Sequence, residues 1–409
     1  MSQPSVSVVI VSRGRPDALR LCLTGVSQLT YPSFEAIVVA DPAGVQAAQS
    51  LPFGGAFKCV PFDEANISAA RNAGIGHAAG DIVAFIDDDA VPEPTWLTHL
   101  TGPFADSSVG ASGGYVRARN GISFQWQGRR IDAQGHTAPL PLPSDAPRVF
   151  SPAAGTGIKT EGTNMAVRRS VLVALGGFDP AYHFFLDETD LNMRLAAAGH
   201  KTAIVPLAQV HHGFAASSRR RADRAPTDLF DVGASWAVFQ RKFVAGAYRL
   251  THWRDIRAGE RRRALSLMVQ GLLEPRDVRR LMARLNLGYG QGMERLIGGG
   301  RVAAHAATPF AAIPGRSGRH VAITARSLFP ARARARAQDA VKNGAIVTLL
   351  MMSPTAFYHR GRFHPDGYWE QSGGQFGKSL RSDPIFRLWR AQSRAMREYT
   401  RISAVRGPM

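Results

Sequence analysis

Two hydrophobic rhythms alternate through the first half of the chain. Residues 5–11, SVSVVIV, form a continuous apolar and β-branched run, the mark of a strand buried on both faces. Residues 15–28 then place Leu19, Leu23 and Val26 at helical spacing. FEAIVVA (34–40) predicts a second buried strand, 67–80 a helix ending at Gly80, and DIVAFID (81–87) a third strand. This βαβαβ order predicts a mainly parallel sheet flanked by helices. Ligands of such sheets bind at the carboxyl ends of the strands, so polar residues just after them are the first candidates for chemistry.

Further along, residues 135–160 are rich in Pro, Gly and Ser and predict a loop with room for short strands. Residues 170–178 and 188–199 have helical spacing, and 201–206 predicts a strand. After about residue 215 the pattern changes. Residues 226–245 and 258–286 are arginine-rich and helical, 298–320 is Gly- and Ala-rich like a linker, and 320–352 adds one strand–helix–strand phrase. The division expected is 1–215, 216–297 and 298–409.

A chain of 409 residues, 45% hydrophobic, has room for a sizeable core and for two domains or one large domain with an extension. Its two cysteines, Cys22 and Cys59, make neither a disulfide framework nor a zinc knuckle, which suits a reducing compartment and a cytoplasmic location. The N-terminus reads as a strand and not as a signal peptide. The longest apolar run, AIVTLLMM, falls short of the roughly 20 residues that span a bilayer, so a soluble or peripheral protein is expected.

Charge divides the chain. Residues 1–212 carry 15 Lys+Arg against 18 Asp+Glu, and the remainder carries 35 against 13. The basic half suits an anionic surface. Anionic lipid headgroups are one such partner on the inner face of a membrane, and RNA or DNA another, although no nucleic-acid fold signature is present. The plainer alternative is an arginine-rich region that packs on the first half and forms a homo-oligomer.

Asp87, Asp88 and Asp89 follow the third strand directly. Adjacent carboxylates repel, and a divalent cation relieves that repulsion; oxygen ligands suit Mg²⁺ or Mn²⁺. A solvated acidic turn is the alternative, and the position after a buried strand weighs against it. Three stretches, SVSVVIVSRGRP, NISAARNAGIGHAAGDIVAFIDDDAVPEPTWL and EGTNMAVRRSVLVALGGFDPAYHFFLDETDLNMRLAAAGHKTAIVPLAQVHH, resemble family 2 glycosyltransferases with the GT-A fold, an α/β architecture. The resemblance covers about residues 5–215.

The resemblance implies an inverting transferase that moves a sugar from a nucleotide-diphosphate donor to an acceptor hydroxyl on a glycan or lipid-linked acceptor, in cell-surface glycan or glycolipid assembly. It implies a DxD motif in which Asp87 and Asp89 hold the metal and donor diphosphate, Asp89 as direct ligand, with Asp88 beside them on the donor side. His212, favoured over His211 by its spacing from Pro206, is implied as a further ligand. Relatives read EDxDL where this chain has DETDL, so Glu188 inherits the role of base and Asp187 is the alternate. An inverting displacement needs such a carboxylate to take the acceptor proton. Asp41 and Arg71 are implied on the donor side, Thr163 and Asn164 on the acceptor side. Arg219, Arg220 and Arg221 are candidates to fold over the diphosphate. Two rival classes are a sugar nucleotidyltransferase, which should carry a better phosphate loop than VSRGRPDAL, and a non-catalytic nucleotide-sugar or anionic-surface binding protein.

Overall fold

The computed structural model describes residues 3–298, 300–328 and 330–408. The first half runs β1 (Val6–Ser12), α1 (Pro16–Val26), β2 (Phe34–Ala40), α2 (Pro42–Gln49), β3 (Lys58–Pro61), α3 (Ile67–His77), β4 (Ile82–Asp87), β5 (Ala90–Pro92), α4 (Trp96–Thr101) and β6 (Val109–Arg117). Five short strands follow, β7 (Phe124–Trp126), β8 (Arg129–Asp132), β9 (Thr137–Pro139), β10 (Arg148–Phe150) and β11 (Thr156–Lys159). Then come β12 (Met165–Arg168), α5 (Arg169–Ala174), α6 (Asp187–Ala197) and β13 (Lys201–His212). The rest comprises α7 (Phe230–Phe243), α8 (Arg249–Val269), α9 (Pro275–Glu294), β14 (His320–Arg326), α10 (Pro330–Lys342), β15 (Ile346–Ser353), β16 (Arg360–Phe363), β17 (Trp369–Gly374) and α11 (Ala391–Arg406).

The main sheet has the order β10-β13-β6-β12-β4-β1-β2-β3. Strands β3, β2, β1 and β4 are parallel, and β12 enters antiparallel between β4 and β6. This is the α/β arrangement expected of the GT-A class. The β-branched runs are buried because both faces of the sheet are covered. Val8 and Ile10 pack with Leu19 and Leu23 of α1 on one face. Val9, Val83 and Phe85 pack with Ile75 of α3 and Leu191 and Leu195 of α6 on the other.

Helix α3 stops at His77, short of Gly80, because the amides of Ala79 and Gly80 are claimed by the sheet. Ala79 N donates to Glu35 Oε1 (2.7 Å) and Gly80 N to Ser7 Oγ (2.8 Å). Glu35 is fully buried on β2 and paired with Lys58 Nζ at 2.6 Å. It also anchors the segment expected to be a linker. Ala311 N donates to Glu35 Oε2 (2.9 Å), Ile313 N to Phe34 O (2.7 Å) and Ala307 N to Gly76 O (2.8 Å). Residues 300–319 are therefore a strap bound to the sheet edge, not a free spacer.

The predicted helix over 258–286 is two helices. Gly271 adopts φ 76°, and Glu274 with Asp277 forms a capping box ahead of Pro275 that restarts the chain as α9. The helical part covers 230–294. The chain then builds a second, smaller α/β unit on a four-stranded sheet, β14-β15-β17-β16. Among the described residues, no helix is long and apolar enough to cross a membrane.

Helices α7 and α9 pack backbone to backbone. A Cβ on Gly288 would strike the Phe230 carbonyl, one on Gly233 the Leu285 carbonyl, and one on Gly292 the Ala234 carbonyl. Gly288→Val must push the helices apart, and overpacking of this kind costs about 1–3 kcal/mol. Urea unfolding should show that loss, while Gly290→Ala, which meets open space, should show none.

Candidate active site

Three elements bring acids together at the carboxyl end of the sheet, β4, the turn after it and the start of α6, and the end of β13 adds His212. Parallel pairing of β4 with β1 sets Asp87 opposite Val11. From there each carboxylate takes a different direction and a different partner. Asp87 Oδ1 lies 3.2 Å from Arg71 Nη2, and Thr163 Oγ1 donates to Asp87 Oδ2. Asp88 turns inward. It is fully buried, accepts from Ser12 Oγ at 2.6 Å and pairs with Arg15. Burial outweighs the pull of Arg15 and pushes its carboxyl up to about 7.

Asp89 faces His212, whose Nε2 lies 3.2 Å from Oδ1. Asp89 Oδ2 accepts from Ala215 N (2.8 Å), and Arg15 Nη1 is 3.3 Å away. Burial opposes ionisation there, but the imidazole, the guanidinium and the amide outweigh it and hold the carboxyl well below its ordinary range. Ligand atoms of Asp87, Asp89 and His212 all lie within 4.8 Å of one another. Two carboxylate oxygens and one imidazole nitrogen suit Mn²⁺ or Mg²⁺ with open positions left for phosphate oxygens and water. Gln125 Oε1, 3.1 Å from His212 Nδ1, and the Phe214 ring, 4.1 Å between centroids, fix the imidazole.

Helix α6 brings the second pair of acids. Phe185 and Leu186 adopt φ 71° and 66°, a left-handed turn unusual for large side chains, and the helix begins at the next residue. Asp187 and Glu188 thus sit in the first turn, where the dipole favours acids. Asp187 is 2% exposed and paired with Arg71. Burial outweighs that pairing and pushes its carboxyl up to about 7. Glu188 is the more accessible, with a side chain 16% exposed against 3% for Asp187. Burial pushes Glu188 up, but Lys159 Nζ at 3.1 Å and the Arg71 charge outweigh it and hold the carboxyl below its ordinary value. Lys159 also pairs with Glu161 at 2.9 Å.

The structure departs from expectation at several positions. Asp88 and Asn164, expected to face donor and acceptor, are fully buried. Asn164 accepts from Trp96 Nε1 and donates to the carbonyls of Tyr115 and Ala208, so it braces the loop from within. Arg71, expected on the donor side, is 4% exposed and bridges Asp87 to Asp187. Asp41 caps α2 through Gly44 N (2.9 Å) and accepts from Gly14 N (2.8 Å), which shapes the loop between β1 and α1. Of the three arginines, Arg219 pairs with Asp231 and Arg221 with Asp223; Arg220 alone lies over Phe214 beside the cation cluster. Arg15, Lys159 and Gln125 were not picked out from the sequence. Arg15 had a usable signal, since it follows a buried strand at its carboxyl end.

The sequence model of the family described as Glycosyltransferase like family 2 matches residues 4–225, and the chain belongs to that family. Among curated relatives, O-antigen biosynthesis protein RfbC of Myxococcus xanthus is 26% identical over 58% of this chain and 19% of its own length. A pre-mycofactocin glycosyltransferase of Mycobacterium tuberculosis is 28% identical over 52% of this chain and 43% of its own length. The chain thus matches less than half of each of these proteins. Among solved structures, the mannosyltransferase PcManGT of Pyrobaculum calidifontis, in complex with GDP-Man and Mn²⁺, is 16% identical with a TM-score of 0.40, covering 72% of this chain and 88% of that one.

Arg71→Met leaves Asp187 buried without its partner. Breaking a buried pair costs about 3–5 kcal/mol. Urea unfolding should register that loss, and Arg71→Met with Asp187→Asn should recover part of it.

Proposed function

We propose that the chain is an inverting glycosyltransferase that moves a sugar from a nucleotide-diphosphate donor to an acceptor hydroxyl in glycan or glycolipid assembly. One observation carries this reading. A three-residue cation cluster, Asp87, Asp89 and His212, and an accessible carboxylate, Glu188, converge at the carboxyl edge of one sheet. The roles named for the two relatives, O-antigen biosynthesis and transfer to pre-mycofactocin, support glycan or glycoconjugate chemistry.

Mn²⁺ or Mg²⁺ held by Asp87, Asp89 and His212 supplies charge neutralisation for the donor diphosphate. The chain's own groups do the rest. Arg15 and Arg220 lie beside the cluster and add positive charge for the departing diphosphate. Glu188 takes the proton of the acceptor hydroxyl. As that oxygen bonds to the anomeric carbon, the bond from the carbon to the diphosphate oxygen breaks, and the nucleoside diphosphate leaves with its electron pair. Lys159 keeps Glu188 ionised and therefore ready to accept. Arg71 and Thr163 orient Asp87, and Asn164 braces the acceptor-side loop.

A panel of UDP-, GDP- and dTDP-sugars, assayed with and without Mn²⁺, tests the reading. One donor should be turned over with Mn²⁺, and Asp89→Asn should remove the metal stimulation. Glu188→Gln should lower kcat about 10²–10⁴-fold with donor KM little changed. Turnover of no donor under any metal would refute the proposal. The pH profile gives a separate check. Activity falls on the acid side as Glu188 takes up a proton, and Lys159 holds that carboxyl low. Lys159→Met should therefore move the acid limb to higher pH; an unmoved limb assigns the base elsewhere.

A further inference from the structure

The family match ends at residue 225, yet helix α11 reaches Glu93, four residues after Asp89. The C-terminal end of helix α11 meets the start of α4. Thr95 N and Oγ1 donate to Val405 O at 3.2 and 2.8 Å, and His99 Nε2 lies 2.8 Å from Ala404 O. Arg406 then directs Nε and Nη2 to the two carboxylate oxygens of Glu93, at 2.7 and 2.9 Å. His211 Nε2 completes the group, 2.8 Å from the same carboxylate. Glu93 is 1% exposed and Arg406 7%. The Trp369 ring covers both partners, 4.3 Å from the Arg406 guanidinium and 4.5 Å from the His211 ring.

These contacts bear on the ladder that carries the cation ligands. Strand β5 pairs antiparallel with the end of β13, Val91 opposite His211 and Ala90 opposite His212. Neighbouring residues of a strand point to opposite faces. His212 faces Asp89, and His211 faces the C-terminal unit. Val91, two residues after Asp89, is buried against Phe363 and Trp369 of that same unit. One face of the ladder thus presents ligand atoms, and the other is clasped by residues more than 150 positions away in sequence.

We propose that the unit from His320 to Arg406 is a structural part of the cation site, with Arg406 as its positioning residue. The bidentate grip of Arg406 on Glu93, with Trp369 against His211, keeps the β5–β13 ladder in the register that points Asp89 and His212 at one ion. Without Arg406 the buried Glu93 carboxylate keeps only His211 and is driven to find water, which drags β5 with it. This inference rests on the reading of Asp87, Asp89 and His212 as cation ligands.

The test is Mn²⁺ binding to the full chain without donor, followed by the EPR signal of free Mn²⁺. Direct outer contacts of metal ligands are worth about 10–100-fold in affinity; Arg406 acts one contact further out, through Glu93 and the ladder, so Arg406→Met should weaken Mn²⁺ binding by about 10-fold, the low end of that range. Arg406→Lys should recover part, since one ammonium replaces a planar fork. Folded Arg406→Met protein with wild-type Mn²⁺ affinity overturns the inference. Should that variant fail to fold, Arg406→Lys and Trp369→Phe decide, and wild-type affinity in both overturns it. Binding that Asp89→Asn abolishes and Arg406→Met leaves intact sinks this inference alone. A wild-type chain without Mn²⁺ binding sensitive to Asp89→Asn sinks the cation site and this inference together.

Discussion

Too many negative charges meet at one point, and the rest of the site is the solution to that crowding. Asp87, Asp88, Asp89, Glu161, Asp187 and Glu188 all converge on the carboxyl end of the sheet. Like charges this close raise one another's pKa and destabilise the fold unless each finds its own counter-charge. The chain distributes the partners with little overlap. Arg15 takes Asp88 and touches Asp89, Arg71 bridges Asp87 and Asp187, Lys159 bridges Glu161 and Glu188, and His212 faces Asp89. This distribution also sorts the roles. Asp88 and Asp187 are sealed inside with raised pKa values, whereas Asp87 and Glu188 keep access to solvent, with side chains 27% and 16% exposed.

That sorting explains what the sequence disclosed and what it withheld. The strands around β1, β2 and β4 were legible because burial on both faces demands an unbroken apolar run. The acidic triplet was legible because it follows such a run, and His212 through the family resemblance and its spacing from Pro206. What could not be read was the direction of each acid. Asp88 and Asp89 are neighbours with the same chemistry, and one points into the core while the other points at an imidazole. That choice depends on Ser12 and Arg15, which lie more than 70 positions earlier. Asn164 is a similar case, since its partners Trp96, Tyr115 and Ala208 come from three other elements. Local pattern carries no record of such long-range pairing.

The basic second half shows the same limit in another form. Its cation excess reads from the sequence as a charged outer surface. In the fold several of these cations also do structural work, because single buried acids each hold more than one arginine. Glu398 takes Arg394, Arg397 and Arg401, and Glu370 takes Arg334 and Arg362. Arg316 donates to the carbonyls of Val341, Gly344 and Ala345 and closes the end of α10. The shared acids leave the positive excess in place while they fix the fold, and the unit these arginines hold together is also the one that clasps Glu93.

The accessible carboxylate of Glu188 depends on support from outside the family match as well. Non-glycine residues in left-handed turns cost about 1–3 kcal/mol each, so Phe185 and Leu186 stay there only because their surroundings over-determine them. Leu186 is buried with Val238 and Phe239 of α7. Trp236 meets the Phe185 ring edge-on at 6.0 Å, and Ser235 Oγ donates to Phe184 O at 2.7 Å. Helix α7 is in turn held against α9 by the glycine contacts that let their backbones touch. Residues 230–294 therefore stabilise the bend that begins α6 and presents Glu188. The C-terminal unit stabilises the ladder that presents Asp89 and His212. On this view the two regions beyond the matched domain are not appendages to a finished site, because each bears on a different one of its two chemical halves.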